Sequence, residues 1–382
     1  MTKGSVRKLL WRRAKSDWGI VLIAMTLLAL GLVMILSTSK DLPYLGLEKA
    51  GAPDTFFRSQ LRYAAMGLVG MFIVSRIDYH LYRRYVLVIG IGTLVVLIAM
   101  ASQQTRFLTT AEAEVGRTGS GQLTEVAKYG VIIYLAAWLS SAGPRLKQFR
   151  EGLLPAATIL AVSCGLVVLQ QNLSAAVLLG VTCLIMMFVA GMDWRQLAAL
   201  LVVGVIVTAA LALLISYREE RVEIFFSNPL TDAWNKGYQT VRSIIALNNG
   251  RLFGLGLAHG IENRNLHLMA HTDFIFAMIG EQLGFVGSLL TLGLYAVYTW
   301  RGYGVALRAV DSFGRLLATG LVSWEVCRAV LHVAVVTNTV PVTGTVLPYM
   351  SYGGSALVSG LAALGILVNI SRRATIEAET PR

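Results

Sequence analysis

The run His271, Thr272, Asp273, Phe274, Ile275 and Phe276, continuing to Gly280, Glu281 and Gln282, sets two carboxylates at the opening of a long apolar stretch. Ionisable groups in such a stretch are costly and by default face a cavity or a partner, so both are functional candidates. Their spacing of eight predicts one helix face, with Glu281 roughly 12 Å deeper than Asp273. Asp273 then falls in the first turn, where the helix dipole favours a negative charge, and it suits a general base. The competing reading is a plain N-terminal cap or dipole partner. Glu281, further inside, needs a cation to remain charged, and a structural ion pair is expected there.

Glu125 and Lys128 stand three apart at the start of another apolar run and can pair on one helix face, which is either a lock between helices or support for a site. Arg117, Arg218, Arg221 and Arg242 supply cations able to hold a phosphate or pyrophosphate, although a solvated loop carries arginines too. Gly254, Gly256 and Gly260 superficially suggest a dinucleotide fingerprint, but no strand precedes them and a turn is the better reading. Walker A, HExxH and Cys/His metal spacings are absent from the sequence. Pro341, Gly344, Pro348, Ser351, Gly353, Gly354 and Ser355 break the helical pattern ahead of the last apolar run, and non-helical backbone at membrane depth is tolerated only when buried or lining a cavity.

These residues must be positioned by membrane helices. Of 382 residues, 55% are hydrophobic and 14% charged, far below the roughly 25% charge of soluble domains. Ten spans are expected, at 18–37, 60–75, 85–101, 124–141, 153–170, 173–190, 197–216, 272–299, 316–337 and 347–370. The result is an all-α integral membrane protein, one polytopic domain over 1–382. The basic stretch 1–17, with Arg7, Lys8, Arg12, Arg13 and Lys15, leads into a span read as a retained signal anchor. Placing it inside also puts Arg83, Arg84, Arg145, Lys147, Arg150, Arg301, Arg308 and Arg315 inside, in accord with the positive-inside rule. Both termini are then cytoplasmic, 371–382 forms a cytoplasmic tail, and a long extracytoplasmic loop, 217–271, joins spans 7 and 8. Within it Tyr238, Val241, Ile244 and Ile245 recur at helical spacing, which suggests a short helix on the membrane surface or a solvated amphipathic connector. The net charge of +12 is spread over short loops and reads as topology, not as a nucleic-acid surface. Cys164, Cys183 and Cys327 lie in apolar runs as packing residues.

Taken together, Asn235 to Gln239, Ile245 and Ala246, Leu252 to Gly256, His271 to Phe276, Ile279 to Glu281, Leu283 to Phe285 and Leu347 to Ser355 resemble the SEDS family, the shape, elongation, division and sporulation proteins of the FtsW and RodA kind. Lys236 to Gln239 and Gly254 to Gly256 look closer to the FtsW branch. The resemblance implies a ten-span peptidoglycan glycosyltransferase that polymerises lipid II on the outer face of the bacterial cytoplasmic membrane, for division or cell shape, beside a class B penicillin-binding transpeptidase. The family's catalytic aspartate falls on Asp273. In the implied mechanism it removes a proton from the acceptor sugar's 4-hydroxyl, which attacks the anomeric carbon of a lipid-linked donor as undecaprenyl pyrophosphate leaves, with lipid II and the undecaprenyl-pyrophosphate-linked glycan strand as the implied partners. Arginines or a divalent cation would stabilise the departing pyrophosphate.

The sequence also departs from the family's pattern. Its Gln-Pro-Ser-Glu motif reads Gln122, Leu123, Thr124, Glu125. An aspartate before the sixth span is Asn172, Leu-Pro-Glu becomes His267, Leu268, Met269, a frequent acidic position is Asn265, and Arg328 and His332 replace neutral polar residues on the ninth span. Two other readings therefore stand beside the polymerase: a lipid-carrier flippase or transporter, for which Glu281 and Arg328 are the charges near the midplane, and a catalytically degraded scaffold that recruits a transpeptidase.

Overall fold

The computed structural model describes residues 17–39, 54–107, 117–214, 223–226, 237–266 and 269–378. Among them there is no strand. The longer helices are α1 (Trp18–Ser39), α2 (Thr55–Arg76), α3 (Val86–Phe107), α4 (Arg117–Ala142), α5 (Leu154–Leu169), α6 (Leu173–Val189), α7 (Trp194–Leu214), α8 (Tyr238–Asn249), α9 (Ile275–Arg308), α10 (Ser312–Val336) and α11 (Gly354–Ala378). Seven helical segments among the described residues are long and apolar enough to cross a membrane. Val86–Ser102 and Leu173–Val189 are shorter apolar helices. Residues buried on all sides with no water to bind leave the backbone only the helix as a way to satisfy itself, which is why apolar runs of this length fold as they do.

The centre of the bundle is α10, packed against α4, α6, α9 and α11, with α2 laid along α11. Small residues permit the closest approaches: a Cβ on Gly365 would meet the Met71 carbonyl oxygen at 2.5 Å, and one on Gly31 the Met350 backbone at 2.5 Å. Helix α7 packs on α6 alone to any extent and is exposed or half-buried along its described length. At the far end of α9, Arg301 and Arg308 reach Asp17 at 2.9 and 3.1 Å, and Arg373 reaches Asp78 at 2.6 Å, so the basic clusters fasten one end of the bundle.

The segment between α7 and α9 differs from the expectation of a helix lying apart on a membrane surface or in solvent. Helix α8 docks on α9 and α10 through buried Thr240, Val241, Ser243 and Ala246, and the Ser243 hydroxyl donates to the Val336 carbonyl at 2.8 Å. Ile244, expected on its apolar face, is exposed.

The chain after α8 then performs a task no local pattern announces. Helix α9 is interrupted at Gly284, whose φ of 71° and ψ of −169° are non-helical, and a break of this kind strands backbone donors and acceptors. Residues 251–256 run beside the break and pair with it: Leu255 and Gly256 N–H donate to the Glu281 and Gln282 carbonyls at 2.9 and 3.0 Å, and Phe285 and Val286 N–H donate to the Arg251 and Leu252 carbonyls at 2.9 and 3.1 Å. Gly254, expected to mark only a turn, is the point of closest approach, with φ of +82° and the Gln282 carbonyl oxygen 2.2 Å from where its Cβ would stand.

Candidate functional site

Asp273 lies on the turn that feeds α9, not in its first turn. Phe274 is the N-cap, no acidic residue occupies the first turn, and helical geometry begins at Ile275. The cause is local: Thr272 and Phe274 N–H both turn back to the Met269 carbonyl, at 3.2 and 3.0 Å. The expected single helix face shared with Glu281 is therefore lost, and what remains is a half-buried carboxylate on a loop, where it can meet a substrate. A Cβ on Gly344 would stand 3.4 Å from its Oδ2, so Gly344 is the near wall on that side.

The turn bearing Asp273 is clamped to the break before α11. Ser351 Oγ donates to the Thr272 carbonyl at 2.7 Å and accepts the Leu347 N–H at 2.8 Å, while Tyr352 N–H donates to the His271 carbonyl at 2.8 Å. Gln60 on α2 locks the same break, donating to the Ser351 carbonyl at 3.0 Å and accepting from Gly353 N–H at 3.3 Å. Helix α11 starts at Gly354, where a Cβ would strike the Tyr63 ring at 2.5 Å; Ser355 lies in its first turn. His271, Asp273, Ser351, Gly353 and Gly354, separated by some eighty residues, are thus brought to one seam.

His271 is buried there between Phe56 and Tyr352, with ring centroids 4.5 and 5.4 Å away, and its Nδ1 has no hydrogen-bond partner among the described residues. Burial pushes its pKa from 6.5 down to about 4. The folded protein then binds fewer protons than the unfolded chain between those values, so the contribution of His271 to stability is complete above pH 6.5 and is lost as pH falls towards 4. His271→Phe is expected to flatten the acid-side fall in the thermal unfolding midpoint over that interval; an unchanged slope in detergent-solubilised protein would refute this assignment.

Among the described residues Glu281 has no ion pair of the kind expected. Its carboxylate accepts the backbone N–H groups of Ile261 and Glu262 at 3.0 and 3.1 Å and the Asn249 side-chain amide at 3.4 Å. Amide donors take the place of a cation, and the carboxylate pins the 258–263 segment onto α9. Gly260 leaves the space, since its Cβ would stand 2.8 Å from Glu281 Oε2. Arg242 faces Glu262 at 3.5 Å and lies over the Tyr238 ring, and Asn265 donates to Glu262 at 2.9 Å. Arg218 and Arg221 fall outside the described residues, as does the side chain of Arg117.

Glu125 and Lys128 do pair, and they belong to a larger buried group. Glu325 and Arg328 on α10 pair at 3.4 Å, Tyr129 donates to Glu325, and the Lys128 ammonium and Arg328 guanidinium lie 5.3 and 5.8 Å from the Trp324 ring centroid. Two acids and two bases sum to no net charge, the condition under which ionised groups are tolerable at such depth. Glu325 escaped the sequence reading, although an acid three residues before Arg328 within one span was the available signal. Gln60 also escaped it and carries no pattern of its own, and Gly344 was legible only as part of the break, not as a neighbour of Asp273. Asn172, a departure from the family, caps α6 by accepting the Ala175 N–H at 3.0 Å.

An apolar cavity of about 280 Å³ opens between α3, α4 and α5, lined by Leu87, Ile91, Leu94, Val131, Tyr134 and Val162 among others, with none of the residues above on its walls. Among the described residues no group of three or more His, Cys, Asp or Glu could hold a metal ion.

The profile of the cell cycle protein family FtsW/RodA/SpoVE matches residues 17–376. The chain is 33% identical over 366 residues to stage V sporulation protein E of Bacillus subtilis (strain 168), covering 94% of this chain and 98% of that protein. It is 32% identical over 365 residues to the probable peptidoglycan glycosyltransferase FtsW of Geobacter metallireducens, covering 94% and 95%. Two solved structures share the fold at 24% identity, each covering 94% of this chain and 98% of the other: a chain from a peptidoglycan synthase complex that coordinates polymerization and crosslinking, at a TM-score of 0.70, and the rod shape determining protein RodA of Thermus thermophilus, at 0.64.

Proposed function

Because the chain belongs to the FtsW, RodA and SpoVE family of cell cycle proteins, we propose that it is a peptidoglycan glycosyltransferase polymerising lipid II at the outer face of the bacterial cytoplasmic membrane. The observation that carries the reading is Asp273, a half-buried carboxylate on a non-helical turn clamped to the break before α11; the resemblance assigns the family's catalytic aspartate to it. As general base it takes the proton of the acceptor's 4-hydroxyl. The oxygen attacks the anomeric carbon of the strand, the bond to the pyrophosphate breaks, and undecaprenyl pyrophosphate departs with the electron pair. One base with a good leaving group needs no covalent carboxylate intermediate, so the configuration inverts.

Arg218, Arg221 and Arg242 are the cations proposed for the pyrophosphate charge. Ten spans with both termini cytoplasmic, and 217–271 outside, would put the Asp273 turn on the face where the polymer forms; the gathering of Arg301, Arg308 and Arg373 on Asp17 and Asp78 at one end of the bundle supports this topology. A relative in a complex for polymerization and crosslinking supports a class B penicillin-binding transpeptidase as partner.

The experiment is direct: purified protein with labelled lipid II, alone and with its cognate transpeptidase made catalytically inert. Long glycan strands are expected in at least one of the two mixtures; none in either would overturn the reading.

A further inference from the structure

His332 stands on α10, seven residues after Glu325 and four after Arg328, so the three share a helix face. It is completely buried, and its Nδ1 lies 2.6 Å from the carbonyl oxygen of Thr345. A carbonyl only accepts, which puts the ring proton on Nδ1. Nε2 has no hydrogen-bond partner among the described residues. The bond thus spans from the rigid central helix to the non-helical segment ahead of α11.

Where it lands is the point of interest. Thr345 N–H donates to the Thr343 carbonyl at 3.1 Å, closing a tight turn with Gly344 in the middle, and Gly344 is the residue 3.4 Å, measured from an added Cβ, from Asp273 Oδ2. Further along the same segment Tyr295 OH donates to the Pro348 carbonyl at 2.5 Å, and the Tyr298 and Tyr349 hydroxyls meet at 3.0 Å. Those contacts fasten the distal part of the segment, whereas His332 fastens the turn that walls the carboxylate.

We propose that His332 is a positioning residue for glycosyl transfer: its Nδ1–H holds the 343–345 turn at the distance from Asp273 that admits the acceptor hydroxyl and aligns it. The role rests on Asp273 being the base. Displaced inward, the turn would cover the carboxylate; displaced outward, it would leave the hydroxyl unguided, and a misplacement of about 1 Å costs up to roughly a hundredfold in rate. The imidazole reaches the turn without touching substrate, so it acts through Thr345 and Gly344.

The test compares His332→Leu, which removes the donor, with His332→Asn, whose amide can replace it, reading kcat and KM for lipid II, the folded fraction, and amide exchange over 343–347. For the folded protein, His332→Leu is expected to lower kcat by about ten- to a hundredfold with KM within about twofold, and to speed exchange at 343–347, while His332→Asn recovers most of both. A kcat loss that merely tracks the folded fraction, or no recovery in His332→Asn, would overturn the positioning role. Unchanged exchange in His332→Leu would overturn the tether itself. An inactive wild type, or an active Asp273→Asn, instead brings down the reading of the site, and it does so whatever the exchange data show.

Discussion

Asp273→Asn is expected to cut polymerisation of lipid II by at least about a hundredfold, the scale of losing a general base, while the protein still inserts and purifies. The amide keeps the size of the side chain and removes only its basicity. The turn at 269–274 is also held by backbone bonds and by Ser351 and Tyr352, which hold it whichever side chain stands at 273. The measurement is the initial rate of strand formation in detergent or liposomes. Undiminished activity would remove Asp273 from the mechanism. Transport of labelled lipid II across liposomes that depends on Glu281 and not on Asp273 would favour the flippase reading. Binding of a transpeptidase with no polymer from the wild type would favour the scaffold.

The second large effect concerns stability. Gly254→Ala is expected to destabilise by more than about 3 kcal/mol, because two costs coincide: a left-handed φ, about 1–2 kcal/mol for any residue with a Cβ, and a methyl driven into backbone that has nowhere to retreat. The Gln282 carbonyl it would strike belongs to the interrupted stretch of α9, whose groups are satisfied by residues 251–256 themselves. Gly256→Ala is the internal control. Its φ of +94° carries the same conformational cost, but the nearest atom to an added Cβ is the His259 Nδ1 at 3.6 Å, in ordinary contact. Thermal midpoints of both variants in one detergent separate the two costs. Equal losses would show that the backbone approach contributes nothing.

His271 and His332 illustrate how partial the legibility of the site was. Both stood out in the sequence, one inside a family motif and one as a departure from it. Neither position revealed that one imidazole packs between Phe56 and Tyr352, or that the other reaches Thr345. Glu281 shows the converse. Its depth in an apolar run correctly marked it as needing a partner, yet the partner is a pair of backbone amides twenty residues upstream, and amides leave no trace in composition. The Asp273 helix placement failed for a related reason: nothing in the residues leading into the apolar run at Phe274 marks where the helix begins, whereas its start was decided by two N–H groups turning back to Met269.

The membrane class, the existence of the long apolar helices and the ordered motifs that place the chain in its family were all legible in the residues, although the helix bounds were missed by up to nine residues, as at the end of α9. Each of these depends on the transfer of apolar runs out of water or on residue identities in series, both local properties. It took the packed fold to show that 251–256 repairs the break in α9, that two ion pairs from α4 and α10 merge into one neutral group around Trp324, and that Ser351, Tyr352 and Gln60 bind the Asp273 turn to the start of α11. Those outcomes depend on which buried donor meets which acceptor. Burial makes every such pairing obligatory, but only the packing of distant helices says which partner is within reach.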